Sequence, residues 1–287
     1  MENMRLCGNN WRKWNVETEE MESKETTVTD ICLFMNELAP VKYAESWDNP
    51  GLLLGHLAQH VHKIMVALDL SPEVAEQAIE QECDIIITHH PYYFSLPKTL
   101  AVTDTKMEVL YELIKHDIAL YAAHTNLDAA KGGVNDVLAA RLGLDEVTEI
   151  PRKDCPEQGL ARIGVLDEPM ALKDFAAKVR DDLGAEHLTY AGGDEPVYKV
   201  AVVGGSGADF MEDALAAGAD TLVTGDLKYH VAQKALNLGL NVVDGTHQLT
   251  ESPVVDKLEQ VLQAWCEESG RHFEVIRAEE DRILQTV

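Results

Sequence analysis

Cysteine is scarce in this chain of 287 residues. Its five cysteines (Cys7, Cys32, Cys83, Cys155 and Cys266) stand far apart, are odd in number and include no C-x-x-C pair. That pattern argues against a disulfide framework and a thiolate zinc site, and suits a reducing compartment. No run of 18 apolar residues occurs, which argues against a membrane-spanning helix. Residues 1–27 lack the apolar core of a signal peptide and are expected to be a poorly ordered extension of a soluble, cytoplasmic protein. Basic residues are also few: 24 Lys and Arg against 50 Asp and Glu leave a net charge of −26. Long-range repulsion then disfavours nucleic acid and anionic membranes as partners. An anionic substrate would need local positive charge, which bound metal ions can supply. A Walker A loop and a full G-x-G-x-x-G are missing too. Gly204-Gly205-Ser206-Gly207 lies between a strand and a helix, and is expected to be a tight turn before it is a phosphate cradle.

What is present is ordinary globular composition, 46% hydrophobic and 26% charged, enough for one large domain or two modest ones. It also contains a repeat. Residues 62–90 and 198–226 align without a gap at a constant offset of 136, pairing Lys63 with Lys199, Glu76 with Glu212, Asp84 with Asp220 and Thr88 with Thr224. Both read as strand, turn, helix, strand. Ile64 to Leu68 and Val200 to Val203 are short apolar runs typical of buried parallel strands. Ser71-Pro72 is an N-cap followed by proline at the first helical position. Asp84 to Thr88 is too short for a helix and rich in β-branched residues, hence the next buried strand. A further strand follows in each half, Ile118 to Ala122 and Asn241 to Val243, leading to His124…Asp128 and His247…Glu251. In each, a carboxylate follows a histidine by four residues, as an ancient duplication would leave it.

The rest completes an α/β reading. Helices are expected over Ile31 to Leu38, Val134 to Leu142, Leu172 to Leu183 and from Val254 to Trp265, the last packing back on the first lobe. Residues 146–160 carry two prolines and charge, and resemble a linker. Residues 28–145 plus 247–287 are thus expected to form a first α/β lobe and 146–246 a second, related lobe. Mixed sheets flanked by helices would leave a metal site in the cleft between them.

Ligands of open α/β sheets collect beyond the carboxyl ends of the strands. Four strand ends here carry polar clusters: His89-His90, His124 with Asp128, Gly225-Asp226, and His247 with Glu251. Imidazole mixed with carboxylate and free of sulfur suits first-row transition metals. His89, His90, Asp128, His247 and Glu251 suffice for two divalent ions sharing a bridging carboxylate. Zinc, iron, manganese and cobalt all accept such a set. His124 is left with three roles: orienting partner, acid/base group or packed histidine. His230 lies where it can approach the same cleft. His56, His60, His62 and His116 read as solvated, and His187 and His272 as strand positions.

Five separated motifs also resemble a known family. They are Glu45-Ser46-Trp47-Asp48-Asn49-Pro50-Gly51-Leu52, Thr88-His89-His90-Pro91, His124-Thr125-Asn126-Leu127-Asp128, Thr224-Gly225-Asp226 and Lys228-Tyr229-His230. In this order, from about residue 28 onward, they are similar to the Nif-three-like dinuclear metal-centre proteins, whose members are called GTP cyclohydrolase 1 type 2 homologues. The resemblance implies the same five metal ligands, two α/β lobes and a toroidal homohexamer with its sites facing an interior cavity. With only about fifty residues between the lobes, this chain looks like the shorter form of the family. The implied activity is hydrolysis of a nucleotide, with GTP ring opening as the family's named reaction and Glu251 and His124 moving protons. The alternative is a non-enzymatic metal-binding or regulatory ring that recruits partners.

Overall fold

The computed structural model describes residues 25–95, 97–151 and 159–285. In the first half, β1 (Gly51–Leu54), β2 (Lys63–Ala67), β3 (Ile85–Thr88) and β4 (Ala119–Ala122) precede β5 (Asp145–Glu149), β6 (Arg162–Met170), β7 (Thr189–Ala191), β8 (Val197–Val202), β9 (Thr221–Thr224), β10 (Asn241–Asp244) and β11 (Glu274–Arg277). They form two sheets, ordered β1-β4-β3-β2-β11 and β5-β6-β8-β9-β10-β7. Both are mixed. β4, β3, β2 and β11 run parallel with β1 antiparallel at the edge. In the second sheet β8, β9 and β10 are parallel, and the pairs β5–β6, β6–β8 and β10–β7 are antiparallel.

The unit seen twice in the sequence occurs twice in the fold, down to its register. Ile64 pairs with Ile85 in the first sheet and Val200 with Thr221 in the second, each partner displaced by the same 136 residues. The Asp84 carboxylate accepts from the amides of His62 (2.6 Å) and Lys63 (2.9 Å). Asp220 does the same for Tyr198 (3.0 Å) and Lys199 (2.7 Å). A carboxylate just before the second strand thus satisfies amides at the start of the first and locks the pair in register.

The helices are α1 (Val28–Leu38), α2 (Pro72–Glu80), α3 (Thr105–Lys115), α4 (Thr125–Ala129), α5 (Val134–Arg141), α6 (Leu172–Asp182), α7 (Met211–Ala216), α8 (Tyr229–Leu238), α9 (His247–Glu251) and α10 (Pro253–Ser269). One face of the first sheet packs on α1 and α10 through Ile31, Met35, Val254, Leu258 and Leu262; the other packs on α2 and α3. Trp265 of α10 stacks on Phe34 at 4.3 Å. The short α5 lies where the two cores meet. Val134 belongs to the first core, whereas Leu138, Ala139 and Leu142 pack with Phe175, Val200 and Val202 of the second.

Several expectations need correction. Residues 145–149, which take in the first four residues of the expected linker, form the edge strand β5, which is exposed and so lacks an apolar signature; 152–158 lie outside the described residues. Of the expected extension, residues 1–24, with Cys7, lie outside the described residues. Thr27, in contrast, caps α1 in a capping box with Asp30, and Thr26 is buried. His187 and His272 stand just before β7 and β11, not in them. Cys32, Cys83 and Cys266 are free, and none of the described helices is long and apolar enough to cross a membrane.

Candidate metal centre

The carboxyl ends of the strands β2, β3, β4, β8 and β10 converge on one cavity of about 710 Å³. β3 is an all-buried Ile-Ile-Ile-Thr run, so it delivers His89 into the interior and His90 to the cavity. β4 leads to His124 and then to Asp128 on α4; β10 leads through Thr246 to His247 and Glu251 on α9. All five expected ligands, and His124, are therefore brought together.

Two overlapping groups are able to hold a metal ion: His89, His90 and His124, and His90, His247 and Glu251. Within each, the ligand atoms lie within 4.8 Å of one another. Asp128 completes the picture. Its Oδ1 lies 3.6 Å from His89 Nε2, and Glu251 Oε1 lies 3.7 Å from the same nitrogen. Glu251 Oε2 is 3.0 Å from His90 Nε2 and 3.1 Å from His247 Nε2. Donors that share an ion through bonds of about 2.0–2.2 Å stand roughly 3–3.5 Å apart, close to these separations.

The tautomer of His89 sharpens the case. Its Nδ1 is 2.8 Å from the Ala123 carbonyl oxygen, which can only accept, so Nδ1 carries the proton and Nε2 a bare lone pair. Burial holds this imidazole neutral by lowering its pKa. Among the described residues, His89 Nε2, Asp128 Oδ1 and Glu251 Oε2 are buried without a well-formed hydrogen bond. The lone pairs of His89 Nε2, Asp128 Oδ1 and Glu251 Oε1 face one another here and repel unless a proton or a metal cation lies among them.

Every histidine of the cluster is held from behind. His90 Nδ1 donates to Asp69 (2.9 Å), His124 Nδ1 to Asp48 (2.8 Å) and His247 Nδ1 to Asp226 (2.8 Å). Such carboxylate–imidazole pairs fix the ring and leave Nε2 for a metal. Sequence reasoning gave these acids no role. Asp48 sits in the Glu45–Leu52 motif and Asp226 beside Gly225, but Asp69 has no local signature.

The electrostatics follow from crowding acids and imidazoles out of water. Burial, reinforced by the Glu251 charge, raises Asp128 well above the usual carboxylate range. Burial would raise Glu251 as well, but the imidazoles of His247, His89 and His90 outweigh it and hold it well below. Burial opposes the charge on His90, yet Asp69 and Glu251 prevail and push it up to about 10. Contact with Glu251, opposed by burial and aided by Asp226, pushes His247 up to about 9. The cluster attracts positive charge.

Backbone strain and small residues hold α9 in place. Thr246 has φ 64° and ψ 152°, a region otherwise left to glycine, and Asp226 has φ 55°. Gly205, at φ 61°, abuts Glu251 so closely that a Cβ there would collide with its Oε1, and a Cβ on Gly225 would fall 2.6 Å from the backbone nitrogen of His247. The glycine turn is no phosphate cradle. The amide of Gly204 donates to Asn135 (2.7 Å), that of Gly205 to Thr250 (3.0 Å) and that of Gly207 to Thr224 (2.8 Å). Asn135 also donates to the Asp128 carbonyl (3.2 Å), joining the Asp128 turn to the second sheet. His230 is exposed on the first turn of α8 and belongs to neither ligand group.

Comparison with known proteins agrees. The sequence pattern of the family described as Duf34/NIF3 (NGG1p interacting factor 3) matches residues 26–282. A Clostridium perfringens protein named GTP cyclohydrolase 1 type 2 homolog is 38% identical over 239 residues, covering 82% of this chain and 91% of that protein. A Staphylococcus aureus protein of solved structure superposes with a TM-score of 0.86 at 28% identity, over 91% of this chain and 99% of that one. A Bacillus cereus protein related to NIF3 superposes with a TM-score of 0.84 at 26% identity, over 92% and 100%. This chain belongs to the Duf34/NIF3 family of GTP cyclohydrolase 1 type 2 homologues.

Proposed function

We propose that the chain is a metal-dependent hydrolase with a dinuclear centre lying between its two sheets. The observation that carries this reading is the bare, buried Nε2 of His89 facing Asp128 and Glu251. His89, Asp128 and Glu251 would hold one divalent ion, and His90, His247 and Glu251 the other, with Glu251 shared. When bound, such ions lower the pKa of water toward neutrality and polarise the group under attack. Zinc, iron, manganese and cobalt all suit the donors.

The side chains supply the rest. Asp69, Asp226 and Asp48 keep three imidazoles oriented. His124 lines the cavity with Asp48 behind it, which suits it to carry a proton. Both oxygens of Glu251 face imidazoles, which suits it to ligation more than to proton transfer. His124→Ala separates the roles of that histidine. Retained metal with lost turnover marks a proton carrier, and lost metal marks a ligand.

The reaction follows the relatives' name: hydrolytic opening of a purine ring in a nucleotide such as GTP. A homohexameric ring and a cytoplasmic location are part of the same proposal, the ring being tested by light scattering against six copies of a 31.7 kDa chain. Elemental analysis, followed by assay of GTP consumption and formate release, tests the enzyme. Two ions per chain with turnover support it. Stoichiometric metal without turnover on any nucleotide would transfer the assignment to a metal-binding ring that recruits partners.

A further inference from the structure

The cavity has a second feature that metal ligation leaves unused. Trp47 and Phe94 stand at its wall with 57% and 54% of their surfaces exposed, their ring centroids 5.7 Å apart and tilted by 58°. Each also lies beside the His124 ring, at 5.8 and 5.9 Å. Exposed aromatic rings this close together are costly in water, because each leaves a large apolar face hydrated.

The backbone beneath them is not loose. The amide of Glu45 donates to Thr125 Oγ1 at 2.9 Å. The Asp48 carboxylate accepts from His124 Nδ1 and, at 3.0 Å, from the Thr125 amide. Asn49 Nδ2 donates to the Tyr93 carbonyl at 2.8 Å, tying the Trp47 loop to the Phe94 loop. Tyr93 in turn donates to the Leu53 carbonyl at 2.7 Å. Two exposed rings are therefore held by fixed backbone at the edge of the metal cluster, an arrangement that lowers the entropic cost of binding a flat partner.

The charge lining the cavity restricts that partner. Among the described residues no Lys or Arg lines it, while Asp209 and Asp213 do, from the turn and helix that follow β8. A polyphosphate finds no lysine or arginine there, and the imidazoles of His90 and His247 are already engaged by Glu251, Asp69 and Asp226. A ring edge bearing N–H donors finds carboxylate acceptors.

We propose that the Trp47–Phe94 face seats an uncharged, planar nitrogen heterocycle with N–H donors on its edge, and that the site therefore recognises a base or nucleoside in preference to its triphosphate. This rests on the reading of the cavity as a metal-assisted hydrolytic site and specifies what enters it.

The test is calorimetric titration of the metal-loaded full chain with guanosine and with GTP, beside elemental analysis of each variant. Guanosine binds at least as tightly as GTP, Trp47→Ala weakens guanosine about tenfold or more, and Trp47→Phe restores most of the loss, as expected of base stacking. Metal content stays at the wild-type level in both variants. Unchanged guanosine affinity in Trp47→Ala, or a preference for GTP that Trp47→Ala leaves intact, would overturn the proposal. So would loss of metal together with guanosine in Trp47→Ala, since Trp47 would then act through the cluster. A wild-type chain that carries no metal but binds guanosine through Trp47 would defeat the hydrolase reading and leave the aromatic seat standing.

Discussion

The two halves of the molecule repeat one scaffold and divide the chemistry between them. Position for position, Asp69, His89 and His90 of the first repeat correspond to Gly205, Gly225 and Asp226 of the second. In the first half these places provide two candidate ligands and the acid that orients one of them. In the second they provide space and an orienting acid. Gly205 makes room for Glu251, Gly225 for His247, and Asp226 holds the His247 ring. The register of the strands survived while the strand ends diverged. A backbone unit can thus be copied without its site, because pairing depends on the alternation of buried strands and ligation on a few side chains beyond them.

That division can be broken at the group both halves share. Glu251→Ala removes the carboxylate facing His89, His90 and His247, and is expected to lower affinity for both ions by a hundredfold or more, judged from the loss of a shared ligand. Competitive chelator titration measures it; metal loading unchanged from the wild type contradicts it.

Filling the space of the second half comes next. Gly205→Ala puts a methyl group against Glu251 at a left-handed φ, and is expected to cost about 1–3 kcal/mol in urea unfolding and at least tenfold in metal affinity. Asp69→Ala, at the matching place in the first half, is expected to cost less stability, since no group collides. Equal losses would erase the contrast.

The orienting acids give a smaller effect. Asp226→Asn and Asp69→Asn are each expected to weaken metal binding about 10-fold to 100-fold with the fold intact. Normal affinity in both would mean that the rings are held by packing alone.

The smallest effect is on pH dependence. His90 and His247 have pKa values raised to about 10 and about 9, so they carry protons at pH 7 that a metal must displace. Their contribution to the stability of metal-stripped protein is full below about pH 6.5 and is lost as pH rises through 9 to 10. Metal affinity runs the other way and rises over that window. Calorimetry in buffers of different ionisation heat is expected to show roughly two protons released per chain at pH 7; no buffer dependence contradicts it.

The sequence made the scaffold legible where burial writes a pattern. Ile85-Ile86-Ile87-Thr88 is apolar because both its faces are covered, and the repeat is visible because its aspartates must cap the same amides twice. The six histidines and carboxylates of the cluster were legible because the histidines follow such strands closely and each carboxylate stands four residues beyond one of them, on the next short helix. β5 was not, since Asp145-Glu146-Val147-Thr148-Glu149 is an exposed edge held by backbone bonds to β6. Nor was Asp69 legible, because its role depends on a histidine 21 residues away. The glycine turn was legible as a turn, but the partners of its amides, Asn135, Thr250 and Thr224, were not, since they are brought near only by folding.

The most direct test is anomalous diffraction from crystals of the metal-loaded protein, with data collected on both sides of the metal's absorption edge. Two peaks per chain, one among His89, Asp128 and Glu251 and one among His90, His247 and Glu251, are the predicted result. A fully loaded crystal with its anomalous peaks elsewhere, and none within reach of His89 Nε2, would contradict the account.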